Sequence, residues 1–180
     1  KDAAAFQQAP IRIFVMGANR WRDEYEWPLA RTRYERWYLH EGGALTPHPP
    51  AEEAPDRYTY DPADPAPTLG GNHSVGPYNP GLYDFVKPGP LDQRPLEARP
   101  DVLAYTSPVL ERDTEVTGPV VVHLYAASSA PDTDFVAKLT DVYPDGRSMN
   151  ITEGVIRARF RDDVWGPPRL LEPGRVYPYT

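Results

Sequence analysis

Ser74 lies in Gly71–Asn72–His73–Ser74–Val75–Gly76, close to the nucleophile-elbow pattern G-x-S-x-G. One residue too many precedes the serine, the surroundings are a Pro/Gly loop, and no helix pattern follows. Ser74 is therefore not read as an activated nucleophile. The four histidines are His40, His48, His73 and His123, and no two stand at the H-x-x-x-H spacing of a metal pair. His123 falls in a predicted strand and reads as structural. Asp132, Asp134 and Asp141 offer the hard oxygens that suit Ca²⁺, but Asp132–Thr133–Asp134 lacks the further ligands and the glycine of a calcium loop. Short Asp side chains accepting backbone N–H bonds in a tight strand connection are the better reading. No carboxylate pair can be assigned to glycoside hydrolysis and no glycine loop cradles phosphate. No metal or cofactor is expected, and the chain by itself carries no recognisable catalytic apparatus.

The elements that would position any site centre on residues 120–161. Val120, Val122, Leu124 and Ala126 share one face of an extended segment, with Val121, His123 and Tyr125 on the other. Phe135, Ala137 and Leu139 alternate with Val136, Lys138 and Thr140. Ile156, Ala158 and Phe160 oppose Val155, Arg157, Arg159 and Arg161. Tyr143–Pro144–Asp145–Gly146–Arg147 is a turn, because Pro presets φ and Gly supplies positive φ. The pattern predicts a hairpin turning at Asp145–Gly146, preceded by a third strand that ends near Ser128.

Elsewhere, Ile11 to Gly17 reads as a buried strand. Arg33–Leu39, Arg57–Tyr60, Val102–Tyr105 and Arg175–Tyr179 read as further strands, Gly42–Ala54 as loop, and Gly70–Pro90 as a long irregular loop. Trp21 and Trp27, set among charged residues, predict an aromatic corner pinned by Arg–carboxylate pairs. With 23 prolines in 180 residues and no helix pattern, the expected class is all-β: a two-sheet sandwich with jelly-roll topology. The net charge of −7, with no basic run, argues against nucleic acid. The absence of cysteine excludes disulfides and thiolate metal sites. No apolar run nears the roughly 20 residues of a membrane span. The compartment stays open, with a cytoplasmic one favoured. A start at Lys1 and a stop within a predicted strand read as cuts in a longer protein, which predicts open sheet edges and poor solubility for the piece.

Asp132–Thr133–Asp134–Phe135–Val136–Ala137–Lys138–Leu139–Thr140–Asp141–Val142, then Pro144–Asp145–Gly146–Arg147, resembles the C-terminal domain of the X-prolyl dipeptidyl-peptidase family, in its cocaine-esterase-like branch. Shorter matches run along almost the whole chain. They include Phe14–Val15–Met16–Gly17, Tyr60–Asp61–Pro62–Ala63–Asp64–Pro65, Gly70–Gly71, Asp92–Gln93–Arg94 and Glu115–Val116–Thr117–Gly118–Pro119. The resemblance implies a jelly-roll, galactose-binding-like β-sandwich over residues 29–180, continuing past Thr180. Residues 1–28 would be the tail of a preceding α/β-hydrolase domain. It also implies a serine hydrolase of esters or amides whose Ser–Asp–His triad lies upstream of Lys1. The implied partners are that N-terminal hydrolase domain and a small ester or peptide substrate, with homodimer contacts possible. It further aligns Leu124–Tyr125 with a Leu-aromatic pair that walls the acyl pocket in the esterase branch, while plain sandwich core is the alternative for both. A carbohydrate-binding jelly roll is the competing functional class.

Overall fold

The hairpin at residues 134–157 is the longest regular element of the computed structural model, which describes residues 9–72 and 87–180. Readings that rest on His73, Ser74 and most of the 70–90 loop lie outside the described residues. In chain order the strands are β1 (Ile11–Val15), β2 (Arg20–Glu24), β3 (Tyr38–His40), β4 (Ala44–Thr46), β5 (Leu124–Ala126), β6 (Asp134–Val142), β7 (Ser148–Arg157) and β8 (Tyr177–Tyr179). One four-residue helix, α1 (Arg94–Glu97), precedes β5. The strands form four antiparallel two-stranded ladders: β1–β2, β3–β4, β5–β8 and β6–β7. The class is all-β, as expected, and agrees with a sandwich domain.

The β6–β7 turn falls where the sequence puts it. Gly146 adopts φ +83°, its N–H reaches Tyr143 O at 2.8 Å, and Asp145 Oδ1 accepts the Arg147 N–H at 3.1 Å. Directly opposed residues share a face, so Phe135 and Ile156 point inward together. They pack on a core of Ala158, Leu171, Tyr177 and Tyr179, joined by Leu124 and Ala126. The Phe135 and Tyr179 rings lie 4.8 Å apart, so the β6–β7 and β5–β8 ladders meet through these side chains. The register shifts between Leu139 and Thr140, where Ile151 is the extra residue of a bulge.

Several sequence expectations are corrected. The third strand does not join the hairpin: β5 pairs with β8, Leu124 opposite Tyr179, and it begins at Leu124 rather than Val120. An apolar alternation reports an exposed and a buried face but not the ladder partner. Ile11–Val15 alternates half-buried and exposed residues instead of being buried throughout. Arg33–Leu39 contributes only its last two residues to β3, and Arg57–Tyr60 and Val102–Tyr105 run without a ladder. Strands β2 and β4 lie in stretches not read as strands, the first disguised by its charges (Arg20–Trp21–Arg22–Asp23–Glu24), the second inside a predicted loop. Beyond Arg157 the expected alternation gives way to a single 3-10 turn at Ala158–Phe160, which drives Ala158 fully into the core.

The far half of the hairpin is held by a buried polar node. Gln93 is 2% exposed, and its amide donates to Leu69 O at 2.9 Å, Leu91 O at 3.0 Å and Asn150 Oδ1 at 3.3 Å. Its Oε1 accepts from Lys138 Nζ at 3.3 Å. Asn150 Oδ1 also accepts the Leu91 N–H at 2.7 Å, the Gln93 N–H reaches Ser148 O at 2.7 Å, and the buried Ser148 hydroxyl donates to Glu97 at 2.6 Å. Gly71 and Gly89 exchange a pair of backbone bonds at 2.9 and 2.8 Å beside this node. Gly70 has φ +70°, and a Cβ there would sit 2.5 Å from Gly89 O, so no other residue fits.

A second polar network ties β2 to the chain before β5. Arg22 donates to Glu24 at 2.6 Å and forks onto Glu115 at 2.6 and 2.8 Å. Arg31 forks onto the buried Glu24, and Thr117 Oγ1 donates to Glu115 at 2.8 Å. The predicted Arg–carboxylate pairs therefore form. The rings they were expected to pin face outward instead: Trp21 rests edge-on against Phe14 at 5.4 Å, and both tryptophans of the corner are at least half exposed.

Two measurements follow from these networks. Gln93→Leu keeps the volume but takes the donor from Leu69 O and the acceptor from Lys138 Nζ and weakens the bonding at Leu91 O and Asn150 Oδ1, so urea unfolding shows a loss of about 2–4 kcal/mol, whereas Val155→Thr on the exposed face changes stability by under ~0.5 kcal/mol. The Arg94 guanidinium first, then N–H bonds from Ser148 and Arg94, hold the Asp92 carboxyl down to about 2. The Arg22 guanidinium, helped by Thr117, holds Glu115 down to about 2. Depressed carboxyls contribute stability above their unfolded values of 3.8 and 4.5 and lose it as pH falls toward 2. The melting temperature therefore stays level from pH 7 to about pH 5 and drops below that, and Asp92→Asn shrinks the drop.

Candidate functional surface

Strand β5 carries both residues of the aligned pair, and its geometry separates them. Leu124 opposes Tyr179 and packs against the core, with Ala126 two residues on. Tyr125, opposite Pro178, points to the other face and is 75% exposed. The two side chains diverge, as successive residues of a strand must. Leu124 thus lies against the core and Tyr125 faces away from it. Next to them His123 Nδ1 meets Thr180 Oγ1 at 3.1 Å, a surface contact.

Asp132 and Asp134 have structural partners. Asp132 Oδ1 accepts the Arg159 N–H at 3.1 Å, which is the backbone-capping role expected of it. Asp134 is gripped by Arg157 at 2.7 and 2.9 Å, and that guanidinium lowers its pKa. Among the described residues no three His, Asp or Glu side chains come together as a metal site. No helix of the described residues is long and apolar enough to cross a membrane.

The described residues include two open hollows. One, of about 230 Å³, lies between Gly42, Gly43, Asp56 and the 102–105 backbone. Tyr105 donates to Asp56 Oδ2 at its edge over 2.7 Å, and burial followed by that carboxylate raises the phenol pKa. The other, of about 410 Å³, is lined by Asp134, Val155, Arg157, Phe160 and Val164. Beside it Val136 faces Val155 across the ladder, both exposed, and Trp165 is 96% exposed at the tip of an Asp163-capped turn. The outer face of β1–β2 sets exposed Phe14 and Trp21 beside an exposed Arg12–Asp23 ion pair, and Met16, Tyr25 and Trp27 are exposed just beyond the two strands. Large exposed apolar areas of this kind mark interaction surfaces rather than a folded chain's ordinary exterior. Sequence reasoning singled out Trp21 and Trp27 but missed Trp165. On β6 the only apolar residues of the outward face are Val136 and Val142, set among Asp134, Lys138 and Thr140, so the alternation gave little signal for the second patch.

The domain family described as the X-Pro dipeptidyl-peptidase C-terminal non-catalytic domain matches residues 4–180. The cocaine esterase of Rhodococcus sp. (strain MB1 Bresler) is 44% identical over 176 residues, which cover 93% of this chain and 29% of that protein. An aminopeptidase structure from a marine sediment archaeon, Thaumarchaeota archaeon, superposes with a TM-score of 0.79 at 28% identity, over 95% of this chain and 29% of that one. The chain thus spans less than a third of the length of either relative. It belongs to the X-Pro dipeptidyl-peptidase C-terminal non-catalytic domain family.

Proposed function

We propose that this chain is the non-catalytic β-sandwich domain of a serine hydrolase that cleaves esters, with its Ser–Asp–His triad in another part of the parent polypeptide. The observation that carries the reading is the 44% identity to a portion of an esterase more than three times as long. The mechanism in that parent is acyl transfer. A serine activated by histidine attacks the carbonyl, backbone donors hold the oxyanion, and water releases the acyl group. The domain's own contribution is to exclude water and to position substrate and partner domain. It is on this reading that the outer face of β1–β2, with Phe14, Trp21 and Trp27 uncovered, packs against the hydrolase domain. Residues 1–28 then form the passage between the two, and 29–180 the sandwich. Within the aligned pair, Tyr125 is the member whose side chain is free to meet substrate or partner domain, and Leu124 supports it from the core side.

Two experiments test this. The purified 180-residue chain shows no turnover of an aryl ester, while the parent polypeptide hydrolyses it. Turnover by the isolated chain that disappears when one of its own serines is replaced overturns the proposal. In the parent, Tyr125→Ala lowers kcat/KM about tenfold or more with a melting temperature shift of under ~2 °C, as expected for an exposed residue at a functional contact. Unchanged kcat/KM removes Tyr125 from the site.

A further inference from the structure

His40 ends β3 with both ring nitrogens occupied. Nδ1 lies 2.7 Å from Glu53 Oε1, and Nε2 lies 3.0 Å from His48 O and 2.9 Å from Thr46 Oγ1. A neutral imidazole has one N–H, yet here a carboxylate stands at one nitrogen and a carbonyl at the other. The imidazolium satisfies both. In the neutral ring, Nε2 turns a lone pair toward His48 O, and only a rotation of the Thr46 hydroxyl away from that carbonyl can compensate. Glu53 is the charged group facing the ring. Its other oxygen accepts the Glu41 N–H at 2.8 Å, so one carboxylate clasps two consecutive residues of the β3–β4 hairpin. From β4 comes the Thr46 hydroxyl, and from the segment after it the His48 backbone, whose N–H returns to Thr46 Oγ1 at 3.2 Å.

We propose that His40 and Glu53 form a protonation-dependent latch that holds residues 47–56 against the β3–β4 hairpin. Three residues beyond Glu53, Asp56 takes the Tyr105 hydroxyl and edges the hollow beneath Gly42 and Gly43. The hairpin itself is anchored independently. Thr106 N–H binds Gly43 O at 2.8 Å, Leu45 N–H binds Thr106 O at 3.0 Å, and Gly43 packs so closely that a Cβ would lie 2.8 Å from Ala104 O. Opening the latch therefore loosens the chain between Thr46 and Asp56 without dismantling the hairpin, while Asp56 keeps its bond to Tyr105. The direction of the switch follows from the Glu53 carboxylate, which raises the His40 pKa above its ordinary 6.5, with the His48 carbonyl adding to it. A raised value means that the latch is fully closed below 6.5 and is lost as pH rises through the higher folded value.

Hydrogen–deuterium exchange on the intact protein, corrected for intrinsic rates, reads the latch in peptides spanning 41–56. Protection is high at pH 6 and falls at least about threefold by pH 9, with a midpoint above 6.5, while peptides from β6–β7 hold steady across that range. The transition is absent in His40→Gln and in Glu53→Gln. Protection that does not change with pH, or a transition that persists in His40→Gln, overturns the proposal. Direct titration of the His40 ring by NMR in the unsubstituted protein gives a second reading independent of either variant's folding, and a pKa at or below 6.5 overturns it as well.

Discussion

The Gln93 amide sits where four pieces of chain cross: the residues before Gly70, the return after Gly89, the start of α1, and the far half of the β6–β7 hairpin. Buried at 2% exposure, it could not be there unless each polar atom found a partner, and each does. The node works because the hairpin supplies polar side chains on one face of its tip half. After the bulge at Ile151, Asn150 and Ser148 turn toward Gln93 and carry no apolar surface to bury. The hairpin is thus covered by two different physical means. Its base half is held by apolar contact with Tyr179 and Ala158, its tip half by hydrogen bonds among buried polar side chains.

This division shapes the rest of the surface. The polar cover reaches only as far along the hairpin as Lys138, which bridges Gln93 and Glu153. Past it the same face is left bare, and Val136 and Val155 stand open beside Phe160, Val164 and Trp165. On the other side of the chain, the Arg22–Glu24–Arg31–Glu115 network fixes the inner face of β2 through charge pairs, so the aromatic residues of β1–β2 are left on the outside.

Much of this could be read from residues alone. Proline content and period-two alternation give an all-β class. Asp145–Gly146 places the hairpin turn to the residue, since Gly at positive φ is a local requirement. The Arg–carboxylate pairing around Trp21 followed from composition, and the family followed from ordered short matches over most of the chain. These are all properties that neighbouring residues settle among themselves or that a relative shares position by position.

Tertiary structure decided the questions of partnership. Nothing local in Leu124–Tyr125–Ala126 says that its ladder partner is Tyr177–Tyr179, 53 residues downstream, rather than the adjacent hairpin. That choice sends Leu124 inward and leaves Tyr125 outside, which no alignment of the pair could show. Gln93 looks like any polar residue at a helix start until Leu69, Lys138 and Asn150 arrive around it. Backbone and side-chain hydrogen bonds are satisfied wherever a donor meets an acceptor in space, and the sequence distance between them leaves no mark on either residue.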